Sequence, residues 1–237
     1  MKLTVLGNNG PYPAPGGACS GYLLSGNDDC THILIDCGAG VLSRLPAFCP
    51  PERLSAVILS HLHFDHMSDM LPMQYALQFK PRREPLPVYA PSAPKAVYDL
   101  LKCPQFELLP ADDFMIGGIH IRFCPGRHPV PSNAVAAECE NTRFVYTGDS
   151  NEDARVAAFC QGADLLLADC GLSREDHSAQ APHYSAELCG QLARDAGARA
   201  LLLTHFNPRY DTQALLREAR TRFPDAQLAV PGETYSI

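Results

Sequence analysis

Five short runs in this sequence are strongly apolar and end on an aspartate or a histidine. They are HILID, ending at Asp36, AVILSH at His61, RFVYTGD at Asp149, DLLLAD at Asp169 and ALLLTH at His205. Runs of this length and apolarity, bounded by turn residues, read as buried strands. His128, just past IRFCPGR, repeats the pattern. A fold that accepts this chain must bury these strands and still give their polar ends a use. If the strands run the same way, the six ends converge on one edge, where rigid sheets usually carry their sites.

The rest of the chain supplies the cover. KLTVLG (2–7), GYLLS (21–25), LSAVILS (54–60) and PLPVYAP (85–91) read as strands. FELLP, DDFMIGGIHIRFCP, AVAAEC and TRFVYTGD read as successive strands of an antiparallel sheet, and QLAVP as a last strand. Helices are expected over 38–48, 67–79, 93–102, 151–160, 184–197 and 211–223, with Gly197 ending one and Asp211 capping another. No linker and no short-period repeat interrupts the chain. Both halves mix strands with helices, so the expected architecture is α/β. It is a four-layer αββα sandwich, two mixed β-sheets face to face with helices outside, in a single domain over 1–237.

His61, His63, Asp65 and His66 crowd into the six residues HLHFDH. On an extended segment, residues two apart face the same side, which pairs His61 with His63. Asp65 and His66 follow where the chain should turn into a helix. A lone histidine is more often structural than a ligand. Four such groups in one loop without a metal would repel on protonation and be costly to desolvate. Two pairs suit two ions, with Zn²⁺ the natural choice for imidazole and carboxylate, and Mn²⁺ or Fe as alternatives.

Charge narrows the partners. The formal net charge is −7, and the only local basic cluster is KPRREP. That balance speaks against a long nucleic acid held across a broad surface, unless a partner subunit supplies the basic face. Ten cysteines occur without a Cys-x-x-Cys pair. They read as small buried hydrophobes, Cys37 and Cys170 beside the strand-end loops included. No secretory signal and no membrane-length apolar segment is read, so a cytoplasmic location is expected.

The order of these motifs resembles the metallo-β-lactamase superfamily along essentially the whole chain. The ribonuclease Z branch is the most similar, through HPVPSNAVAAE around His128, YTGDS at 146–150, HYSAE at 183–187 and LLLTHFNPRY at 201–210. The resemblance implies a dinuclear hydrolase site. His61, His63 and His128 would hold one divalent ion, and Asp65, His66 and His205 the other. Asp149 would bridge the two. Asp65 would accept a hydrogen bond from the activated water, and His183 would contact phosphate and protonate the leaving group. Asp36 would steady a ligand histidine, or simply shape a turn. Asp169 would contact a ligand histidine or cap a loop. Arg209 would clamp phosphate or pair with Asp211. His183 could instead be a surface residue near a helix cap.

One departure matters. The ribonuclease Z branch carries an arm that grips transfer RNA, inserted between the residues matching His128 and Asp149. Only 20 residues separate these two here, enough for two short strands and a turn. The expected activity is therefore a phosphodiesterase on small phosphodiesters such as cyclic nucleotides or short oligonucleotides. A transfer-RNA 3′-processing endonuclease and a thioester or lactone hydrolase on the same metal core are the alternatives. The resemblance also implies a homodimer, with MLPMQYALQF as core or as dimer face. The Gly- and Pro-rich stretch 7–21 is either a wall of the pocket or a surface loop.

Overall fold

The computed structural model describes residues 1–28 and 30–237. Among the described residues, fourteen strands form two seven-stranded sheets. The first holds β1 (Lys2–Gly7), β2 (Gly21–Ser25), β3 (His32–Ile35), β4 (Ala56–Ile58), β5 (Leu86–Ala90) and β6 (Phe106–Pro110), with the C-terminal β14 (Thr234–Ser236) outside β1. The second holds β7 (Phe114–Ile116), β8 (Ile119–Pro125), β9 (Asn133–Cys139), β10 (Thr142–Tyr146), β11 (Leu165–Asp169), β12 (Ala200–Thr204) and β13 (Gln227–Leu228). Each sheet is mixed. β3 to β6 pair parallel, as do β10 to β13, while β14, β1, β2 and β3 pair antiparallel, as do β7 to β10.

Alternate residues of one strand serve different cores. Ile33 and Ile35 lie between the sheets with Leu165, Leu167 and Phe144. Leu34 faces outward onto helices α1 (Val41–Arg44) and α3 (Met70–Phe79) through Val41, Met70 and Met73. Leu166, Leu201 and Leu203 face helices α6 (Ala186–Asp195) and α7 (Thr212–Arg220) through Cys189, Leu192 and Leu215. Both faces of the central strands are thus buried, which is why they read as unbroken apolar runs. The result is the expected αββα sandwich.

Several elements differ from expectation. FELLP is β6 and pairs parallel with β5 in the first sheet, not with the antiparallel strands that follow it in sequence. The stretch 112–125 folds into the hairpin β7–β8, because Gly117 and Gly118 both take positive φ, 54° and 75°, as a two-residue hairpin turn requires. The helix expected over 67–79 starts at Met70 as α3, and a separate short helix, α2 (Phe64–Met67), carries Asp65 and His66. Helix 38–48 shortens to α1 and a 3₁₀ turn, helix 93–102 to α4 (Lys95–Tyr98) and a 3₁₀ turn, and helix 151–160 to α5 (Ala154–Phe159) capped by Asp153. QLAVP contributes only β13, and β14 was not foreseen. Ser185 and Asp211 cap α6 and α7 by accepting from the backbone N–H of Leu188 and Gln213. Among the described residues, no helix is long and apolar enough to cross a membrane.

Candidate metal centre

Parallel pairing brings the strand ends to one edge of the sandwich. Asp36 and His61 follow β3 and β4, Asp149 follows β10, Asp169 ends β11 and His205 follows β12. β8 is antiparallel to β9, and β9 to β10, so β8 delivers His128 to the same edge. There the side chains form three overlapping sets, the donor atoms of each within 4.8 Å of one another: Asp149, Asp169, His183 and His205, and two made of the expected metal-holding residues. Of these two, one is His61, His63, His128 and Asp149, and the other Asp65, His66, Asp149 and His205. Asp149 belongs to all three. Its Oδ2 lies 3.6 Å from His61 Nε2, 3.3 Å from His66 Nε2 and 3.3 Å from His205 Nε2. Asp65 Oδ2 lies 3.1 Å from His205 Nε2 and 3.5 Å from His66 Nε2.

Three of the imidazoles have their far nitrogen occupied by a fixed partner. His66 Nδ1 donates to Asp36 Oδ2 at 2.8 Å, and His128 Nδ1 to the Pro182 carbonyl at 3.1 Å. Ser60 Oγ gives its proton to Asp36 Oδ2 at 2.8 Å and so accepts from His61 Nδ1 at 3.1 Å. A proton held on Nδ1 leaves Nε2 with a bare lone pair, the form a metal needs. His63 differs, presenting Nδ1 to His128 Nε2 at 3.2 Å.

The residues fit a divalent metal on three grounds. Nε2 of His61 and of His66 and Oδ1 of Asp149 are buried without a hydrogen-bond partner, a costly state for a polar atom with no other use. The donors are imidazole and carboxylate, the set preferred by zinc. The buried carboxylates also draw positive charge into the cluster. Burial, with the charge of His66, pushes His61 well below the usual imidazole range, and burial lowers His63 and His128. Burial also opposes the charge on His66 and His205, but is outweighed by Asp149 with Asp36 for the former and Asp169 for the latter, so both are raised. Burial works against the charge on Asp149, yet His205, His66 and His61 hold its carboxyl well below the usual range. A bound cation would take the place of those protons.

Around the ligands the structure places Asp36 and Asp169. Asp36 is fully buried and accepts from Ser60 N–H at 2.7 Å and Tyr146 OH at 3.1 Å besides His66 and the Ser60 hydroxyl. It thus holds the His66 ring and shapes the turn. Asp169 likewise touches clustered histidines and binds loop backbone. Its Oδ2 is 2.9 Å from His183 Nδ1 and its Oδ1 is 3.3 Å from His205 Nδ1, while it accepts from the backbone N–H of Gly171 and Ser150. The His183 side chain keeps 17% of its surface exposed, beside the ligand sets rather than out on the surface. Burial lowers its pKa, but Asp169 more than compensates and the net shift is upward.

Arg209 does not join the cluster. Its guanidinium holds Asp176 at 2.9 Å and lies over the Tyr210 ring at 4.6 Å, while Asp211 caps α7 and takes Arg217. It pairs with Asp176 rather than with Asp211. Cys37 and Cys170 are fully buried, and burial drives the Cys37 thiol well above its ordinary range, so it stays protonated. The stretch 7–21 packs its start on the site: Gly10 N–H donates to Phe206 O at 3.1 Å, and a Cβ on Gly10 would fall 1.9 Å from His205 Nε2. Ser60, Tyr146 and Gly10 were missed in the sequence. The signal available for Tyr146 was a tyrosine inside a buried strand, whose hydroxyl needs a partner.

A Beta-lactamase superfamily domain matches residues 31–206, a span that includes every ligand of both sets. The chain belongs to the beta-lactamase superfamily. It is 36% identical over 232 residues, 94% of each chain, to the probable metallo-hydrolase YhfI of Bacillus subtilis. The crystal structure of YhfI superposes with a TM-score of 0.92 at 34% identity, covering 99% of both chains. A ribonuclease Z of Methanothermobacter thermautotrophicus is 23% identical, with 97% of this chain and 94% of the relative covered. That alignment runs to 291 positions against a chain of 237 residues, so the relative carries segments this superfamily member lacks. The short form of human tRNase Z shares the fold at a TM-score of 0.81 and 19% identity, covering 100% of this chain and 99% of its own. As a superfamily member with His/Asp clusters able to bind metal, the chain is a probable metallo-hydrolase.

Proposed function

We propose that this metallo-hydrolase is a phosphodiesterase for small phosphodiesters, such as cyclic nucleotides or short oligonucleotides. The observation that carries the small-substrate reading is the path from His128 to Asp149. It holds only residues 129–132, β9, the two residues Glu140 and Asn141, β10, and Thr147 and Gly148, with β9 and β10 paired from Thr142 and Cys139 to Tyr146 and Val135. No arm extends from this hairpin to embrace a folded RNA.

His61, His63, His128 and Asp149, with Asp65, His66 and His205, would hold divalent ions, most simply zinc, whose Lewis-acid charge would serve the phosphoryl oxygens and activate water at neutral pH. The chain's own groups do the rest. Asp65 stands at the rim, 8% exposed, where a carboxylate orients the attacking water. His183, held through Nδ1 by Asp169, has its other nitrogen left to protonate the departing oxygen. The fixed Nδ1 partners of His61, His66 and His128 keep the ligands from rotating during the reaction. We include a homodimer in the proposal: Tyr75 and Phe79 leave 59% and 83% of their surface exposed on one side of α3.

The test offers metal-loaded protein bis(p-nitrophenyl) phosphate, cyclic nucleotides, precursor transfer RNA and a thioester, with a chelator-treated control. Hydrolysis of the small diesters, lost with the chelator and lowered about 100-fold or more in His183→Ala, is expected. Hydrolysis of the thioester alone overturns the reading. Processing of the RNA at low enzyme concentration replaces it with the endonuclease.

A further inference from the structure

Residues 173–184 leave the sheet after β11 and return to it at α6. Their ends are pinned together by the bridge between Leu172 and Ser185 and by Ala186 N–H donating to Leu172 O at 3.0 Å. A segment whose ends meet in this way is an Ω-loop. It carries His183 near its second end, and the Pro182 carbonyl that receives His128. The loop's one buried apolar anchor is Tyr184 at its second end, and residues 173–183 are exposed or half-buried throughout.

One side chain compensates. Asn151 is fully buried, two residues beyond Asp149. Its amide nitrogen donates to the carbonyls of Ser178 at 3.1 Å and Ala181 at 2.7 Å. Its amide oxygen accepts from His177 Nε2 at 2.9 Å and from Glu152 N–H at 2.7 Å. Its backbone N–H donates to Arg127 O at 3.0 Å, on the segment that delivers His128. Two donors and one two-fold acceptor are all satisfied, and three of those four side-chain bonds go to the loop. Two other ties lie in the site, His183 to Asp169 and the Pro182 carbonyl to His128, and the exposed ones include Arg127 to the Ala179 carbonyl, Arg174 N–H to Glu218, and Asp176 to Arg209 and Tyr210.

We propose that Asn151 is a positioning residue: it bolts the Ω-loop 173–184 to the floor of the metal site and thereby sets where His183 stands. The proposal rests on the phosphodiesterase reading only in giving His183 a task. Asn151 touches neither ligand set through its side chain, so it acts on His183 through the loop backbone. Arg209 finds its role here too, as an outer clasp on Asp176.

The decisive variant is Asn151→Asp, which keeps the shape and the acceptor for His177 but removes both donors. Amide hydrogen exchange, read by mass spectrometry on the metal-loaded protein, is expected to quicken over 174–183 and to stay unchanged elsewhere. Turnover of bis(p-nitrophenyl) phosphate is expected to fall about 10- to 100-fold, the range for partners that orient site residues, with KM and metal content little changed. The double variant Asn151→Asp, His183→Ala is expected to be no slower than His183→Ala alone, because residues acting through one another are not additive. Unchanged exchange over the loop overturns the bolt. Quickened exchange with full turnover overturns its coupling to His183, as does a double variant slower than the single one. Full activity in His183→Ala instead overturns the catalytic reading, while the exchange result still decides the bolt. Asn151→Ser, which adds no charge, gives the same comparison if a carboxylate at 151 prevents folding.

Discussion

Replacing Asp36 by asparagine separates the orientation of a ligand from the stability of the fold. Asp36 Oδ1 accepts from Ser60 N–H at 2.7 Å, and an amide oxygen would keep that bond. Oδ2 faces three groups, the Ser60 hydroxyl at 2.8 Å, His66 Nδ1 at 2.8 Å and Tyr146 OH at 3.1 Å. An amide nitrogen there donates instead of accepting. The hydroxyls can turn and accept, but imidazole accepts at Nδ1 only by moving its proton to Nε2. That proton then lies 3.3 Å from Asp149 Oδ2, where it is well received in the metal-free protein. Asp36→Asn is therefore expected to cost only about 1 kcal/mol of metal-free stability, the net worth of one hydrogen bond. Metal binding needs Nε2 bare and leaves the proton on Nδ1, where it now faces an amide donor instead of a carboxylate, so affinity is expected to fall about 10- to 100-fold, or about 1.4–2.8 kcal/mol. Asp36→Ala strands the buried donors of Ser60 and His66 and is expected to cost about 3–5 kcal/mol of fold stability as well. Zinc titration against a chelator of known affinity, beside thermal melting of the metal-free forms, reads the two effects apart. Unchanged zinc affinity in Asp36→Asn refutes the assignment of the His66 tautomer to Asp36.

Two further outcomes follow from the geometry. Gly10→Ala places a Cβ 1.9 Å from His205 Nε2, a distance real contacts do not reach, so either the loop or the imidazole must move. Elemental analysis is expected to show less than the parent's metal content, and full content would show that the stretch 7–21 yields without cost. Tyr75→Glu together with Phe79→Glu is expected to shift sedimentation from dimer to monomer with the melting curve little changed, since both side chains are exposed on α3.

The parts of the site that were legible in the sequence are those where chemistry and burial conflict locally. An Asp or His at the end of an apolar strand must be buried or placed at a rim, and neither is cheap without a partner. His61, Asp149 and His205 announced themselves in that way. Asn151 did not, because one polar residue after GDS looks like any loop residue until its four partners, up to 30 positions away, are in place. The parallel placement of β6 was hidden for a similar reason. FELLP has the same local pattern whether it joins β5 or β7, and only the packing of Phe106 among the first sheet's outer core decides. The helix breaks around α2 were also unreadable from periodicity, since what breaks the pattern is the need of Asp65 and His66 to face the ligand cluster rather than the apolar core.

The backbone carries its own sign of that need. Three described non-glycine residues take positive φ, and two of them are Asp36 at 57° and His205 at 60°. For a residue with a Cβ this region costs on the order of 1–2 kcal/mol. Asp is among the more tolerant types, and a histidine there is uncommon. Both lie directly after a strand, at the same edge of different sheets. An extended residue at either position would continue the pleat and send its side chain along the sheet face. The left-handed turn instead folds the side chain back over the strand end, Asp36 onto His66 and His205 onto Asp65 and Asp149. The hydrogen bonds made by Asp36 can offset its strain in the metal-free chain. His205 relies on charged pairs that a divalent ion would replace, so its backbone conformation is stabilised most when the site is loaded. The same strain that a folding chain would avoid is thus placed at the two residues that aim the second ligand set.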